Sequence, residues 1–502
     1  MELTFQSKTV PFLRCSLRQT VTQEQTKEII VPDSYPDAGA ILLTNADAVL
    51  RSQESRAGSL IISGAIRASC LYVPEDETQP RLLDSYFPFT LRLDHPAVKE
   101  ETSYCLDLRV RSADSRLINS RKLLLRVGIG CQITGYEPAQ EVFFELKQKP
   151  EALQLKVSDY PLMLPAETVQ KSFPITEELE IGLAKPAAAQ LAGFSVLPVV
   201  REQKLNGTKA VLKGDIFVSM LYAAEDGSFQ SFAQALPFSQ FVELREDYPD
   251  GSGLRLSLAV TGADLELQAG SEGRKLLFTG DVLIQCLVSR QQTVTVYEDA
   301  YVTEGTLRPE WKDYELEWGL DCQTLLRSVR ETAGFSVREV IDAKFYPDFP
   351  EKSRTEAGLR ITLPVQYNLL VRDEQGAYRG ITGRMEDSTE LALHPDADAD
   401  VQAEAVGEGA ASAGGAGIDL RLDLALTVCS YAERTLRSLC GGSVEPGEPT
   451  QTNTCVIIRR TETQSEIWAL AKVYATTVDA IRAANRLTGD EVDAGRMLLI
   501  PT

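Results

Sequence analysis

Gly64-Ala-Ile-Arg-Ala-Ser-Cys-Leu-Tyr72 decides how this chain is read, because it returns as Gly214-Asp-Ile-Phe-Val-Ser-Met-Leu-Tyr222. The pattern G-x-I-x-x-S-x-L-Y is shared without a gap, 150 residues apart. An acidic pair follows each copy, Glu75-Asp76 and Glu225-Asp226, and then Phe87-Pro88-Phe89 or Leu236-Pro237-Phe238. A fainter third copy aligns Leu369-Leu370-Val371-Arg372-Asp373-Glu374 with Leu71 to Asp76, which sets Thr362 opposite Gly64. Arg121-Lys122-Leu123-Leu124-Leu125 likewise becomes Arg274-Lys275-Leu276-Leu277-Phe278. Solenoid repeats run to ~20–50 residues, so a period this long predicts tandem domains, each with its own core.

The units read as mainly β, each a sandwich or an open barrel. Leu254–Val260, Val294–Val302 and Ile418–Leu426 alternate apolar and polar residues, the period of a half-buried strand. Short helices are expected at Asp37–Ser52, Pro186–Leu191 and Cys322–Thr332. The expected division is 1–155, 156–310 and 311–440 for the three units, a linker at 441–453, and a separate domain at 454–502. The Ala-, Gly- and acid-rich stretch 396–417 lacks large apolar side chains, which predicts a mobile loop.

The tail reads strand–helix–helix–strand. Thr454–Ile458 suits a strand, and Thr463-Gln464-Ser465-Glu466 fits a capping box that would start a helix at Gln464. Ile467, Leu470, Ala471 and Tyr474 share one helical stripe. Thr476 or Thr477 would cap a second helix carrying Val478, Ile481 and Ala484 inward. Asn485 is expected to end that helix in left-handed conformation, and Met497–Ile500 closes as a strand. Trp468 lies one step off the buried stripe, and two readings of it stay open: an interface anchor or core packed on the last strand. Ile458 and Ile467 read as core.

Composition narrows function by exclusion. A net charge of −21 argues against nucleic acid and against a polybasic membrane anchor. The first residues carry no signal-peptide pattern, and no apolar run reaches the ~18 residues of a membrane helix. Nine scattered cysteines without a C-x-x-C pair suggest a reducing compartment, with Cys131, Cys286 and Cys429 as buried thiols. His95 and His394 both precede proline and read as turn residues. Gly270–Lys275 lacks phosphate-loop spacing. Asp396-x-Asp398-x-Asp400 starts like a calcium loop but has Val401 where glycine is needed. Neither G-x-S-x-G nor H-E-x-x-H occurs, and the acidic pairs read as solvated turns. No enzyme activity, cofactor or metal is therefore expected. The segment Thr452–Thr502 holds six basic and six acidic residues, so this near-neutral module on a flexible tether suits docking.

Two resemblances sharpen these readings. Ile467-Trp468-Ala469-Leu470-Ala471-x-x-Tyr474, Val478-x-x-Ile481-x-x-x-Asn485 and Gly495-x-x-Leu498-x-Ile500-Pro501 resemble a LysM domain. Such domains usually carry Gly-Asp-Thr before the Leu-Trp pair, where this chain has Gln464-Ser465-Glu466. Val31-Pro32-Asp33-Ser34-Tyr35-Pro36-Asp37, with Asn119-Ser120-Arg121-Lys122, is similar to SPOCS domains. Tandem SPOCS units ending in one LysM domain look like the SipL family of spore coat morphogenetic proteins of endospore-forming Firmicutes, and are functionally similar to stage VI sporulation protein D. That resemblance implies a coat-assembly adaptor in the mother-cell cytoplasm, at the outer forespore membrane. It implies that the tail docks onto the coat-basement ATPase, stage IV sporulation protein A, alongside other coat proteins. The face expected to do so comprises Ile458, Gln464, Ser465, Glu466, Ile467, Trp468 and Arg486. Binding of peptidoglycan or N-acetylglucosamine is the alternative, disfavoured by the missing Gly-Asp-Thr.

Overall fold

The computed structural model describes residues 1–77, 79–447, 456–461 and 463–501. Its body is built from one strand plan used three times. In the first unit, β1 (Phe5–Ile30), β6 (Lys122–Leu146) and β5 (Ser103–Asn119) form one antiparallel sheet. β2 (Ala38–Arg56), β3 (Ser59–Pro74) and β4 (Arg81–Asp94) form the other. The second unit repeats this with β7 (Leu153–Glu180), β12 (Lys275–Val302) and β11 (Gly253–Leu267) facing β8 (Ala188–Asn206), β9 (Lys209–Ala224) and β10 (Phe229–Glu243). In the third, β13 (Thr306–Ala333) and β20 (Gly417–Glu445) pair along their length. β20 also carries β18 (Ala397–Ala405) and β19 (Ala410–Gly414). Opposite them, β16 (Gly358–Arg372) carries β14 (Glu339–Pro347), β15 (Glu351–Thr355) and β17 (Tyr378–Leu391). Each unit has an apolar core drawing on both of its sheets.

The shared glycine has a steric cause. A Cβ on Gly64 would lie 2.3 Å from the Val49 carbonyl oxygen and 2.5 Å from the Phe89 ring. On Gly214 it would meet the Val199 oxygen at 2.0 Å and the Phe238 ring at 2.9 Å. The loops after β1 and β7 are also held alike. Arg121 donates to the carbonyls of Pro32 and Tyr35, and Arg274 to those of Gly182 and Lys185. The Tyr72 and Tyr222 hydroxyls donate to Pro36 and Pro186 at 3.0 and 2.9 Å.

Several expectations fail for identifiable reasons. All three predicted helices are strands, lying within or at the start of β2, β8 and β13. β2 and β8 carry bulges at matching places, Ala38/Ala40, Ile41/Leu43 and Leu50/Ser52 in the first, whereas the Cys322–Thr332 stretch of β13 pairs with β20 in regular register. Each bulge breaks the two-residue alternation and mimics a helical spacing. The third copy shifts by one residue: its bulge at Val340/Asp342 places Leu370, not Leu369, at the position of Leu71 and Leu221. Buried Leu363, not Thr362, then stands where the glycines stood. The 396–417 stretch is not a loop. Ala397, Ala399, Val401 and Ala403 alternate inward along β18 and are buried, while the backbone pairs with β20. The linker begins only after Glu445; its residues 448–453 lie outside the described ones. Cys131 and Cys286 are buried thiols as expected, but Cys429 is not: register sets it opposite Cys322, and the two form a disulfide.

The units join through apolar and polar contacts. Leu71, Leu221 and Leu370 meet in one buried cluster, together with Leu42, Ala192 and Ile341. Gln285 of the second unit both accepts from and donates to the Leu106 backbone, at 2.8 and 2.7 Å. Asn368 of the third donates to the carbonyls of Thr44 and Ala113. Beyond the sandwiches the long pairs β1/β6, β7/β12 and β13/β20 converge. Val10 and Phe12, Leu162 and Leu164, and Tyr314 and Leu316 share one cluster, and Leu3, Leu153, Tyr297, Ala300 and Leu439 form another.

The Gly64 contact yields a test. Gly64→Ala is expected to cost about 1–3 kcal/mol through overpacking and to lower the thermal midpoint. Gly334→Ala, with open space around its Cβ, should leave the midpoint near wild type in the same melting experiment.

Candidate functional site

The C-terminal head is small. β21 (Val456–Arg460) pairs with β24 (Met497–Pro501), and β22 (Ser465–Glu466) with β23 (Glu491–Val492). α1 (Ile467–Val473) and α2 (Val478–Asn485) pack over buried Ile467, Leu470, Ala471, Ile481, Val492, Leu498 and Ile500. α1 starts three residues later than the capping box suggests. Ser465 and Glu466 are spent on the pairing with β23, Glu466 is extended, and the Ile467 N–H reaches the Asp490 carbonyl at 2.8 Å. Thr477 does cap α2, its hydroxyl accepting from the Ala480 N–H at 3.1 Å.

The left-handed residue after α2 is Arg486, with φ 51°, rather than Asn485. Asn485 instead clamps α2 to the last strand. Its amide donates to the Ile481 and Leu499 carbonyls, and its oxygen accepts from the Leu499 N–H at 2.7 Å. Ala484 is exposed rather than inward.

The predicted face is split three ways. Ile467 is fully buried and presents nothing outward. Ile458, expected in the core, is 62% exposed, because alternation along β21 turns Ile457 inward instead. It lies opposite Leu499 in register, and Val456, Met497 and Leu499 are exposed on the same two strands. Gln464 donates to Glu491 and, with Arg486, stays at the exposed loop end. Ser465 is placed only as part of β22.

Trp468 is half-buried at the edge of the head's own core and also reaches the end of β12. Its indole Nε1 donates to Asp299 Oδ2 at 2.9 Å, and its ring meets Tyr301 edge-on at 4.9 Å. Lys472, one turn along α1, donates to both Asp299 oxygens at 2.6 and 2.8 Å. The Tyr301 hydroxyl donates to the Thr476 carbonyl at 2.8 Å, and Lys156 of β7 pairs with Glu466 at 3.0 Å. Burial by itself would raise the Asp299 carboxyl, but the bonds from Lys472 and Trp468 hold it below the usual range. Burial pushes the Tyr301 phenol up to about 12, so it stays a donor at neutral pH. Asp299, Tyr301 and Lys156 were invisible as head contacts in the sequence, which shows only an alternating strand there.

A concavity of about 540 Å³ lies where the three units meet. Its cations are engaged: Arg109 with Asp107 and the Ala403 carbonyl, Lys344 with Asp47. Glu404 projects into this space, in contact with it yet surrounded by protein. Its side chain is exposed to solvent within this space, and crowding by the surrounding protein, with repulsion from Asp107, outweighs Arg109 and Arg255 and pushes its carboxyl up to about 7. Among the described residues no cluster of His, Cys, Asp or Glu suits a metal ion.

Comparison with protein families matches residues 467–501 to the LysM domain. The head is a LysM domain. No curated protein matches the chain.

Glu404 supplies a pH test. Between its ordinary value of 4.5 and about 7 the native carboxyl holds a proton that the unfolded one has released, so stability should fall as pH rises across that window. Glu404→Gln is expected to flatten that fall, read as thermal midpoint against pH.

Proposed function

We propose that this protein is a non-enzymatic assembly adaptor whose LysM head engages another protein through the open face of its β21/β24 sheet. The observation that carries this reading is the exposed apolar row of Val456, Ile458, Met497 and Leu499. A contiguous apolar patch on a domain this small is what a protein interface buries at its centre, with a polar rim around it. Arg460 on β21 and Arg496 in the adjoining turn supply rim cations. The docked α1 face leaves this sheet face outward, so the body presents it instead of covering it.

The SPOCS and SipL resemblance gives the setting of the proposal. The partner is the coat-basement ATPase, stage IV sporulation protein A, at the outer forespore membrane, and the three body units space the head from further coat proteins. Tethering a long body to one head raises its local concentration wherever the head binds. The LysM match itself favours a second reading, since such domains commonly bind peptidoglycan and related glycans.

Immobilised full-length chain should capture the purified ATPase. Ile458→Asp should weaken that capture about tenfold or more, as loss of a ~2 kcal/mol hot spot does, with an unchanged melting profile. Pelleting with insoluble peptidoglycan in parallel separates the readings: retention there, with no ATPase capture, assigns the head to glycan.

A further inference from the structure

The contact between head and body has the composition of a specific interface rather than of incidental packing. On the head side, α1 and the turn after it contribute Trp468, Lys472 and the Thr476 carbonyl. On the body side, Asp299 and Tyr301 answer all three. One carboxylate takes an indole donor and an ammonium together, and one phenol offers both a ring edge and a hydroxyl. A second ion pair, Lys156–Glu466, flanks them. Aromatic anchors with charge-assisted bonds at the centre are the hallmark of binding hot spots.

The strand is shaped for this. Along an unbroken strand, Tyr297 and Ala300 would point to opposite sides. A bulge between Tyr297 and Asp299 reverses the parity. Tyr297 and Ala300 then both face the bundle of long strands, where they are buried. Asp299 and Tyr301 both face the head, and Tyr301 enters its core. The body therefore carries a preformed acceptor, and nothing in its geometry requires that the head come from the same chain.

Ten residues separate Glu445, the end of β20, from Val456, the start of β21. Fully extended they span up to about 35 Å. Such a tether supplies an effective concentration of roughly millimolar, so a dilute chain keeps its own head. Copies gathered on a surface at comparable density offer each other the same acceptor. Exchange of an identical element between copies is a low-cost route to association, since every contact is already present in the closed chain.

We propose that the α1 face of the head is a self-recognition surface: it seats on Asp299–Tyr301 of its own chain when dilute, and on the same segment of a second copy when copies are crowded. The β21/β24 face stays open in either arrangement, so this goes beyond the adaptor reading and does not depend on the identity of the outside partner. Because each exchanged chain offers its own vacated acceptor to another, the contact propagates head to body unless a pair closes reciprocally.

Two full-length variants test it without any other protein. Asp299→Lys spoils the acceptor and leaves the head intact. Trp468→Ala/Lys472→Ala spoils the head and leaves the acceptor intact. Each alone should sediment as a monomer at micromolar concentration, and an equimolar mixture should form a 1:1 dimer. Carbodiimide, which joins a carboxylate to an amine in direct contact, should link Lys472 to Asp299 within one chain in dilute wild type and between chains in the mixture. A mixture that stays monomeric and yields no such interchain link overturns the proposal. Should Asp299→Lys lower the melting temperature of the body, Asp299→Ser/Tyr301→Phe replaces it in the same mixture.

Discussion

Three equivalent leucines hold this molecule in one arrangement. Leu71, Leu221 and Leu370 sit at the same place in three copies of one sandwich, and they meet in a single buried cluster with Leu42, Ala192 and Ile341. Because side chains alternate along a strand, each can reach the cluster only if its own unit keeps strict register. The bulges at Ile41/Leu43, Leu191/Gly193 and Val340/Asp342 recur immediately beside them. They turn the adjoining positions Leu42, Ala192 and Ile341 toward the same centre. The cluster thus depends on a repeated irregularity as much as on repeated regular structure.

From that junction the geometry of the rest follows. With the three units fixed about one point, their long strand pairs must run together. Phe12, Leu162 and Leu316, each four residues before the bulge in its strand, pack as equivalents farther along, with Leu3, Leu153 and Leu439 in the next layer. A 28-residue strand such as β12 extends roughly 90 Å, so its last residues stand well away from the sandwich core. Asp299 and Tyr301 lie at that far end, and the head meets the body there. The contact there is rich in specific bonds. The β21/β24 face and the α1 face are then separate surfaces of one small domain, one exposed and one set against the body.

Much of this was legible in the residues. The spacing of Gly64-x-Ile66 and Gly214-x-Ile216 announced duplicated β units, and the structure adds why glycine recurs: the Val49 and Val199 carbonyls leave no room for a Cβ. The stripe of Ile467, Leu470 and Ala471 announced a buried helix face and is one. What failed was reading through irregularity. Bulges in β2 and β8 scrambled the alternation, so these strands passed for helices, and the third copy was aligned one residue off, as its matching bulge at Val340/Asp342 shows. Ala397–Ala405 failed differently. Its alternation was present, but small alanines looked too poor to fold. Opposite the leucines of β20, small side chains are what fits, and the pairing itself satisfies the backbone.

The sequence by itself determined the β character of the body, its repetition and the helix pair of the head. These are carried by periodicity and capping among near neighbours, where a residue's role depends on others a few positions away. Only the tertiary structure decided which face of the head is covered. Trp468 lies 169 residues from Asp299 in the chain, and no local pattern links an indole on a short helix to a carboxylate beyond a bulge in a distant strand. Their meeting is set by where the three-unit junction sends the end of β12. That is a property of the assembled molecule, in which long-range packing places groups that local chemistry only makes available.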